Sequence, residues 1–249
     1  IIAFNDDAHE LFSHNLAAND KNIAIAKRWL RGLTAGGGTN MYHAIAQALQ
    51  KNQMNKNKET TEYDKYQQII FITDGSVANE QILFTLIENN LGNTRLHTVG
   101  IGSAPNSYFM SRAAEFGRGT YRYVGSINEV STQMHKLFKD ISRPMMKNIK
   151  LGWPMDNVES YPSLIPDLYQ QQPMIITTRW PKAVNTLKKS TITVEGQLGS
   201  SNWQEQINIP SNDIDYKSNK GIAQWWARQK IKELMQQHRQ SDSHIKALL

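Results

Sequence analysis

The sequence predicts a doubly wound, mostly parallel α/β sheet, followed by a small antiparallel β region and a C-terminal helix. Three observations carry this. Strand-like and helix-like segments alternate up to about residue 142 with short loops between them. One strand, "QIIFIT" (68–73), holds a continuous apolar run, Ile69 to Ile72, as strands covered on both faces do. Beyond residue 143 the pattern changes to alternating apolar and polar residues punctuated by Pro and Gly, as in half-buried antiparallel strands.

The elements follow in order. "IIAFN" (1–5) and "AHELFS" (8–13) are two short strand-like runs around a polar Asn-Asp-Asp turn. In "NDKNIAIAKRWLRGL", Asn19 can cap a helix, Asp20 sits in its first turn, and Ile23, Ala26, Trp29, Leu30 and Leu33 recur at helical spacing. Gly36, Gly37, Gly38, Thr39 and Asn40 come next, with Asn40 as a candidate cap. Met41, Ala44, Ile45, Ala48 and Leu49 then mark one helix face.

"NKNKETTEYDKY" reads as a polar loop and leads into "QIIFIT", which reads as the most buried strand. "TDGSVANE" turns the chain, and Asn79 can cap a helix that points Ile82, Leu83, Leu86 and Ile87 inward. "RLHTVGIG" is a strand, "SYFMSRAAEFG" a short helix ending at Gly117, and "GTYRYV" a further strand. "SINEVSTQMHKLFKDIS" opens with a capping box, Ser126 and Glu129, presents Ile127, Val130, Met134, Leu137, Phe138 and Ile141 on one face, and stops at Pro144.

The predicted organisation is therefore an α/β domain over 1–142, a β-sandwich-like region over 143–212 and a helical segment over 213–249. In the second part "MKNIKLGW", "QPMIITTRW", "STITVEGQ" and "WQEQINIP" are the strands. In the third, Ile222, Trp225, Trp226, Ile231 and Leu234 lie mostly on one side, and an exposed Trp there would mark a partner surface.

Composition bounds the chemistry. With no Cys, the chain has no disulfide, thiolate metal site or Cys nucleophile. The net charge is +6, but the Lys and Arg are scattered and no nucleic-acid-binding signature accompanies them, so nucleic acid is not an expected partner. "IIAFNDDAHELF" lacks the basic start and small-residue cleavage site of a signal peptide. Several patterns fail on spacing. His9 and His14 are five apart, not four; no Lys follows the glycines as a phosphate loop requires; Ser76 is not in a nucleophile elbow; and the calcium-like run 213–221 has Lys217 at a ligand position. His97 reads as a satisfied sheet residue, and no nucleophile, base and oxyanion set emerges, so the chain is not read as an enzyme.

In a parallel sheet, ligands sit beyond the carboxyl ends of the strands. Two loops belong there: Gly36-Gly37-Gly38-Thr39-Asn40 before a helix, and Thr73-Asp74-Gly75-Ser76 after "QIIFIT". Asp74 offers a carboxylate and Thr39 a neutral hydroxyl. Hard oxygen donors of this kind suit Mg²⁺.

The stretches "AGGGTNMYHAIAQAL", "QQIIFITDGSVANE" and "RLHTVGIGSAPNSYFMSRAAEFGRGTYRYV" resemble the von Willebrand factor type A domain, in particular that of inter-alpha-trypsin inhibitor heavy-chain-like proteins, where a VIT domain precedes the A domain. "LGWPMDNVESYPSLIPDLYQQQPMIITTRW" is similar to the segment that follows it. The resemblance implies a metal-ion-dependent adhesion site with Thr39 and Asp74 as ligands to Mg²⁺, Mn²⁺ or Ca²⁺, with Gly36, Gly37, Gly38, Asn40 and Gly75 supporting the loops. The family's third element, an Asp-x-Ser-x-Ser loop after a central first strand, has no match: Asp74-x-Ser76-x-Ala78 is in the wrong place and ends on the wrong residue.

The expectation is thus a fragment lacking that strand, with metal binding weak or absent. The gap would be filled by an upstream part of its own chain, closed by residues 1–5 pairing with 68–73, or bridged in a dimer through exposed edges. The implied function is a secreted or cell-surface adhesion module that grips an acidic residue of an extracellular protein or matrix ligand. A structural spacer without a working metal, and a component of a protease-inhibitor or matrix-associated heavy-chain-like assembly, stand as alternatives.

Overall fold

The computed structural model describes residues 1–54, 67–75, 79–102, 106–142, 146–169, 173–181, 190–199, 201–209 and 220–248. The polar loop "NKNKETTEYDKY", Ser76 and Ala78, and most of the run 213–221 lie outside the described residues. The chain forms two compact units, 1–133 and 134–249.

In the first unit, β1 (Ile2–Phe4) and β2 (Ala8–Glu10) form an antiparallel pair, Ala3 opposite His9. Helix α1 (Asp20–Arg31) follows, capped as expected by the Asn19 side chain, which accepts from the Asn22 N–H at 3.0 Å. Helix α2 (Met41–Met54) leads to β3 (Gln68–Thr73). Then come α3 (Glu80–Asn90), β4 (Arg95–Ile101), α4 (Ser107–Phe116) and β5 (Arg118–Val124). β3, β4 and β5 form a parallel sheet in that order, with Ile69 opposite Leu96 and Val99 opposite Arg122. Among the described residues β1 pairs only with β2 and β3 only with β4. Residues 1–5 do not pair with 68–73 as strands, although the Phe4 ring stacks on Phe71 at 5.3 Å.

One face of this sheet carries the core. Met41, Ile45 and Leu49 of α2, Leu83, Phe84 and Ile87 of α3, and Phe109, Met110 and Ala113 of α4 pack with Phe71 and Leu96. Phe84 stacks at a tilt on both Phe109 and Phe116, with centroids 5.3 and 5.2 Å away.

Several sequence expectations need correction here. On α3, Phe84 is buried while Ile82 is 53% exposed. Two residues can serve as the inward corner of a helix turn, and the aromatic partners of Phe84 decide which does. Asn79 stands at the cap position in a left-handed conformation, φ 61°, and makes no side-chain cap. β3 is not the most buried strand. Phe71 and Thr73 are buried, but Ile72 between them is 42% exposed, whereas Leu96, His97, Thr98 and Val99 of β4 are all fully enclosed. Among the described residues strand β4 has a neighbour on each side and β3 has one.

Helix α5 (Ile127–Ile141) spans the boundary of the two units. Leu137 and Ile141 on it are buried, but Ile127 is 86% exposed and Phe138 half exposed, so the predicted apolar face is only partly used. The capping box is reduced to the Glu129 carboxylate, which accepts from the Gly125 N–H at 3.3 Å.

In the second unit, β6 (Met146–Gly152), β9 (Thr191–Leu198) and β10 (Ser201–Asn208) form an antiparallel sheet with β9 in the middle. β7 (Glu159–Tyr161) and β8 (Thr177–Arg179) form a separate pair. Helix α6 runs Lys220–Leu248. Trp226 is its anchor: Tyr161 meets it edge-on at 5.6 Å, and Arg179 and Lys230 lie over its ring. Lys230 also donates to Glu159 at 2.8 Å and holds that carboxyl below its usual value. Trp225 is 41% exposed, and Ile222, Ile231 and Leu234 are exposed with it.

Candidate functional site

The site lies where the carboxyl ends of β1 and β3 meet the glycine loop. Leaving β1, the Asn5 carbonyl accepts from the Asn40 N–H at 2.6 Å, and the Asn5 side chain donates to the Gly36 carbonyl at 3.1 Å. The Asp6 carboxylate accepts from the Gly38 N–H at 2.9 Å. Two residues of β1's exit turn therefore clamp the loop at three points.

The glycines are explained by this clamp. A Cβ on Gly37 would sit 2.6 Å from Asp6 Oδ2, and Gly37 has φ +78°, which L side chains rarely adopt. A Cβ on Gly38 would collide with Asp6 Oδ1. Gly36 has nothing within 4 Å and is not constrained in this way. Sequence reasoning missed Asn5 and Asp6. Their signal was there, a polar Asn-Asp-Asp turn at a strand end, but nothing local tells which of many polar turns will meet a distant glycine run.

The clamp delivers Thr39 onto the second loop. A Cβ on Gly75 would meet Thr39 Cγ2 at 2.9 Å and Thr39 Oγ1 at 3.1 Å, so only a glycine lets the two loops touch. Gly75 is itself held by its N–H, which donates to Thr73 Oγ1 at 3.1 Å. Its neighbour Asp74 is exposed, and the Asp74 Cβ lies beside Gly102 at the end of β4, 3.9 Å from where a Cβ there would stand. Asn40 supports the start of α2, its side-chain nitrogen 3.3 Å from His43 Nδ1. A cleft of about 540 Å³ opens beside Thr39, lined by Asp6, Asn40, His43, Asn79 and Ile82 among others.

The structure thus places Thr39 and Asp74 on two touching loops at the carboxyl end of the sheet. Their donor chemistry, one hydroxyl and one carboxylate, matches a hard divalent cation in kind. It falls short in number: among the described residues no group of three His, Asp or Glu side chains converges on one point. Asp6, which also lines the cleft beside Thr39, accepts from the Gly38 N–H through Oδ1.

His97 is separate from this site. It is fully buried, and its Nδ1 accepts from the Thr120 N–H at 3.1 Å. The reason is a register shift: Leu96 pairs with Arg118 but Thr98 with Tyr121, so β5 carries one extra residue. The His97 ring satisfies the amide that the shift releases. Burial, and then the Arg95 charge, lowers its pKa to about 4.

The comparisons with known proteins bear on the fold. Residues 1–123 match the family model of the von Willebrand factor type A domain, and the chain carries such a domain. A von Willebrand factor A domain-containing protein of Dictyostelium discoideum is 26% identical over 218 residues, covering 87% of this chain and 22% of that protein. Inter-alpha-trypsin inhibitor heavy chain H2 of Mus musculus is 24% identical over 163 residues, covering 64% of this chain and 17% of that one. The chain therefore spans about a fifth of the length of these relatives. A solved von Willebrand factor type A structure from Catenulispora acidiphila shares the fold, with TM-score 0.56, 16% identity, and coverage of 84% of this chain and 55% of that one. Among the described residues no helix is long and apolar enough to cross a membrane.

Proposed function

We propose that residues 1–123 serve as a metal-dependent protein-binding module that grips an exposed carboxylate of a partner protein through a divalent cation, Mg²⁺, Mn²⁺ or Ca²⁺, at Thr39 and Asp74. The observation that carries this reading is the close packing of the Thr39 side chain over Gly75, where no Cβ would fit, which brings Thr39 to the loop that holds Asp74, the one carboxylate of the two loops. A divalent cation bound by one protein carboxylate keeps a net positive charge and several exchangeable waters, so it remains able to accept a partner's carboxylate. The 540 Å³ cleft beside Thr39 leaves room for that approach. The role is binding, not catalysis. The heavy-chain resemblance supports placing the module on a secreted or cell-surface protein.

With two donors, this reading makes metal affinity in this chain weak. The test is paramagnetic broadening of amide signals by millimolar Mn²⁺. Broadening centred on Thr39, Gly75 and Gly102, lost in Asp74→Ala and in EDTA, is the expected result. Broadening elsewhere, or unchanged in Asp74→Ala, overturns the assignment and leaves a structural spacer as the better reading.

A further inference from the structure

Of the 15 glycines in the chain, Gly75 alone follows an Asp or Asn. With no Cβ on Gly75, its main-chain nitrogen is open to the carboxyl of the residue before it. Such a pair can close on itself. The Gly75 nitrogen loses its proton and bonds the Asp74 Cγ, the carboxyl gives up its OH, and the two leave as water. A second water then opens the five-membered ring. Cleavage between the nitrogen and Cγ restores aspartate. Cleavage between the nitrogen and the Asp74 main-chain carbonyl carbon leaves isoaspartate, with the main chain running through Cβ and Cγ and the carboxylate on Cα. The two waters balance, and no oxidant or co-reactant enters.

The structure both offers this bond and guards it. Asp74 is exposed, so water reaches its carboxyl. Gly75 is half-buried and held from two sides. Its N–H donates to Thr73 Oγ1 at 3.1 Å, and Thr73 is buried. An N–H so bonded is harder to deprotonate and is not available for ring closure. From the other loop, Thr39 Cγ2 lies 2.9 Å from where a Cβ on Gly75 would stand, so the Gly75 backbone cannot turn without displacing Thr39. The ground beside Asp74 is pinned as well. Its Cβ lies against Gly102, whose N–H donates to the Val124 carbonyl at 2.9 Å and whose carbonyl accepts from the Tyr123 hydroxyl at 3.0 Å.

We propose that Asp74 is a site of spontaneous isoaspartate formation, and that the Thr73 hydroxyl and the Thr39 side chain set its rate. Ring closure waits for a local opening in which both contacts are lost. Isoaspartate adds one carbon to the main chain between Thr73 and Gly75 and takes one from the side chain. It therefore shifts Gly75 relative to Thr39 and draws the carboxylate back toward the main chain. The modification concerns Asp74 itself and stands whether or not that residue holds a metal.

The test incubates the 249-residue chain at neutral pH in EDTA and follows isoaspartate at Asp74 by fragmentation mass spectrometry. The same chain unfolded in guanidinium chloride gives the unguarded rate. The native chain is expected to convert about tenfold more slowly or slower still, the factor that one hydrogen bond of ordinary strength supplies. Thr73→Val, which keeps the shape and removes the acceptor, should raise the native rate by up to about that factor, and exchange of the Gly75 amide should quicken with it. Thr73→Ser, which keeps the acceptor, should stay near the native rate. Thr39→Ala, at an exposed position, should also raise it. Native conversion as fast as in the unfolded chain would overturn the guard. Unchanged rates in both Thr73→Val and Thr39→Ala would remove these two residues as its cause. Isoaspartate that accumulates at Asp74 in the unfolded chain but in neither the native chain nor its variants would sink the site.

Discussion

Helices of the first unit carry similar apolar patterns and reach different ends. On one face of the parallel sheet, α2, α3 and α4 bury Ile45, Leu49, Ile87, Phe109 and Met110 almost completely. Helix α1, outside that packing, has as clear an amphipathic pattern, yet buries no residue, and its Ile23 and Leu30 are 38% and 47% exposed. Apolar pattern alone therefore does not set burial. It sets which side chains are available, and a neighbouring element has to supply the other surface. Among the described residues no element supplies that surface to α1.

Parallel substitutions should expose the difference. Phe109→Ala in the packed face should cost about 3–5 kcal/mol, from lost transfer energy plus an uncollapsed cavity, measured by urea unfolding. Ile87→Ala should fall in a similar range of roughly 2–5 kcal/mol.

His97 sharpens the comparison through pH. Its folded pKa, about 4, lies below the ordinary 6.5. The unfolded chain therefore takes up a proton that the folded one refuses between these values, so stability is full above pH 6.5 and is lost as pH falls toward 4. The lost amount is about 3 kcal/mol at most. Protonating Nδ1 also breaks its bond from the Thr120 N–H. A urea series across this window should show the slope, and His97→Gln should flatten it. An unchanged slope in the variant would assign it to other groups.

Smaller effects are expected at the loop clamp. Gly38→Ala, which pushes a methyl group into Asp6, should cost about 1–3 kcal/mol, and Asp6→Gly in the same chain should recover part of it. A full cost in the double variant would show that the collision with Asp6 is not the cause. The smallest effect belongs to the open face: Ile23→Ala should change stability by no more than about 0.5 kcal/mol by thermal unfolding. A loss comparable to that of Ile87→Ala would mean that the α1 face is covered in solution.

Much of this was legible because it is local. Residues 68–73 read as a strand from six consecutive residues, and Asn19 reads as a cap because its acceptor serves an N–H three residues away. The register-shift role of His97 and the choice of Phe84 over Ile82 were not legible, because each depends on a partner from another element.

For the candidate site the same division holds. The sequence by itself determined the strand–helix alternation, the two polar loops and the donor types of Thr39 and Asp74, because periodicity and turn chemistry act over a few residues. Only the tertiary structure decided that Asn5 and Asp6 clamp the glycine loop, that Thr39 rests on Gly75, and that the α1 face stays open. Those outcomes depend on segments some thirty residues apart arriving at one place. Nothing in either segment encodes that meeting until the sheet between them has formed.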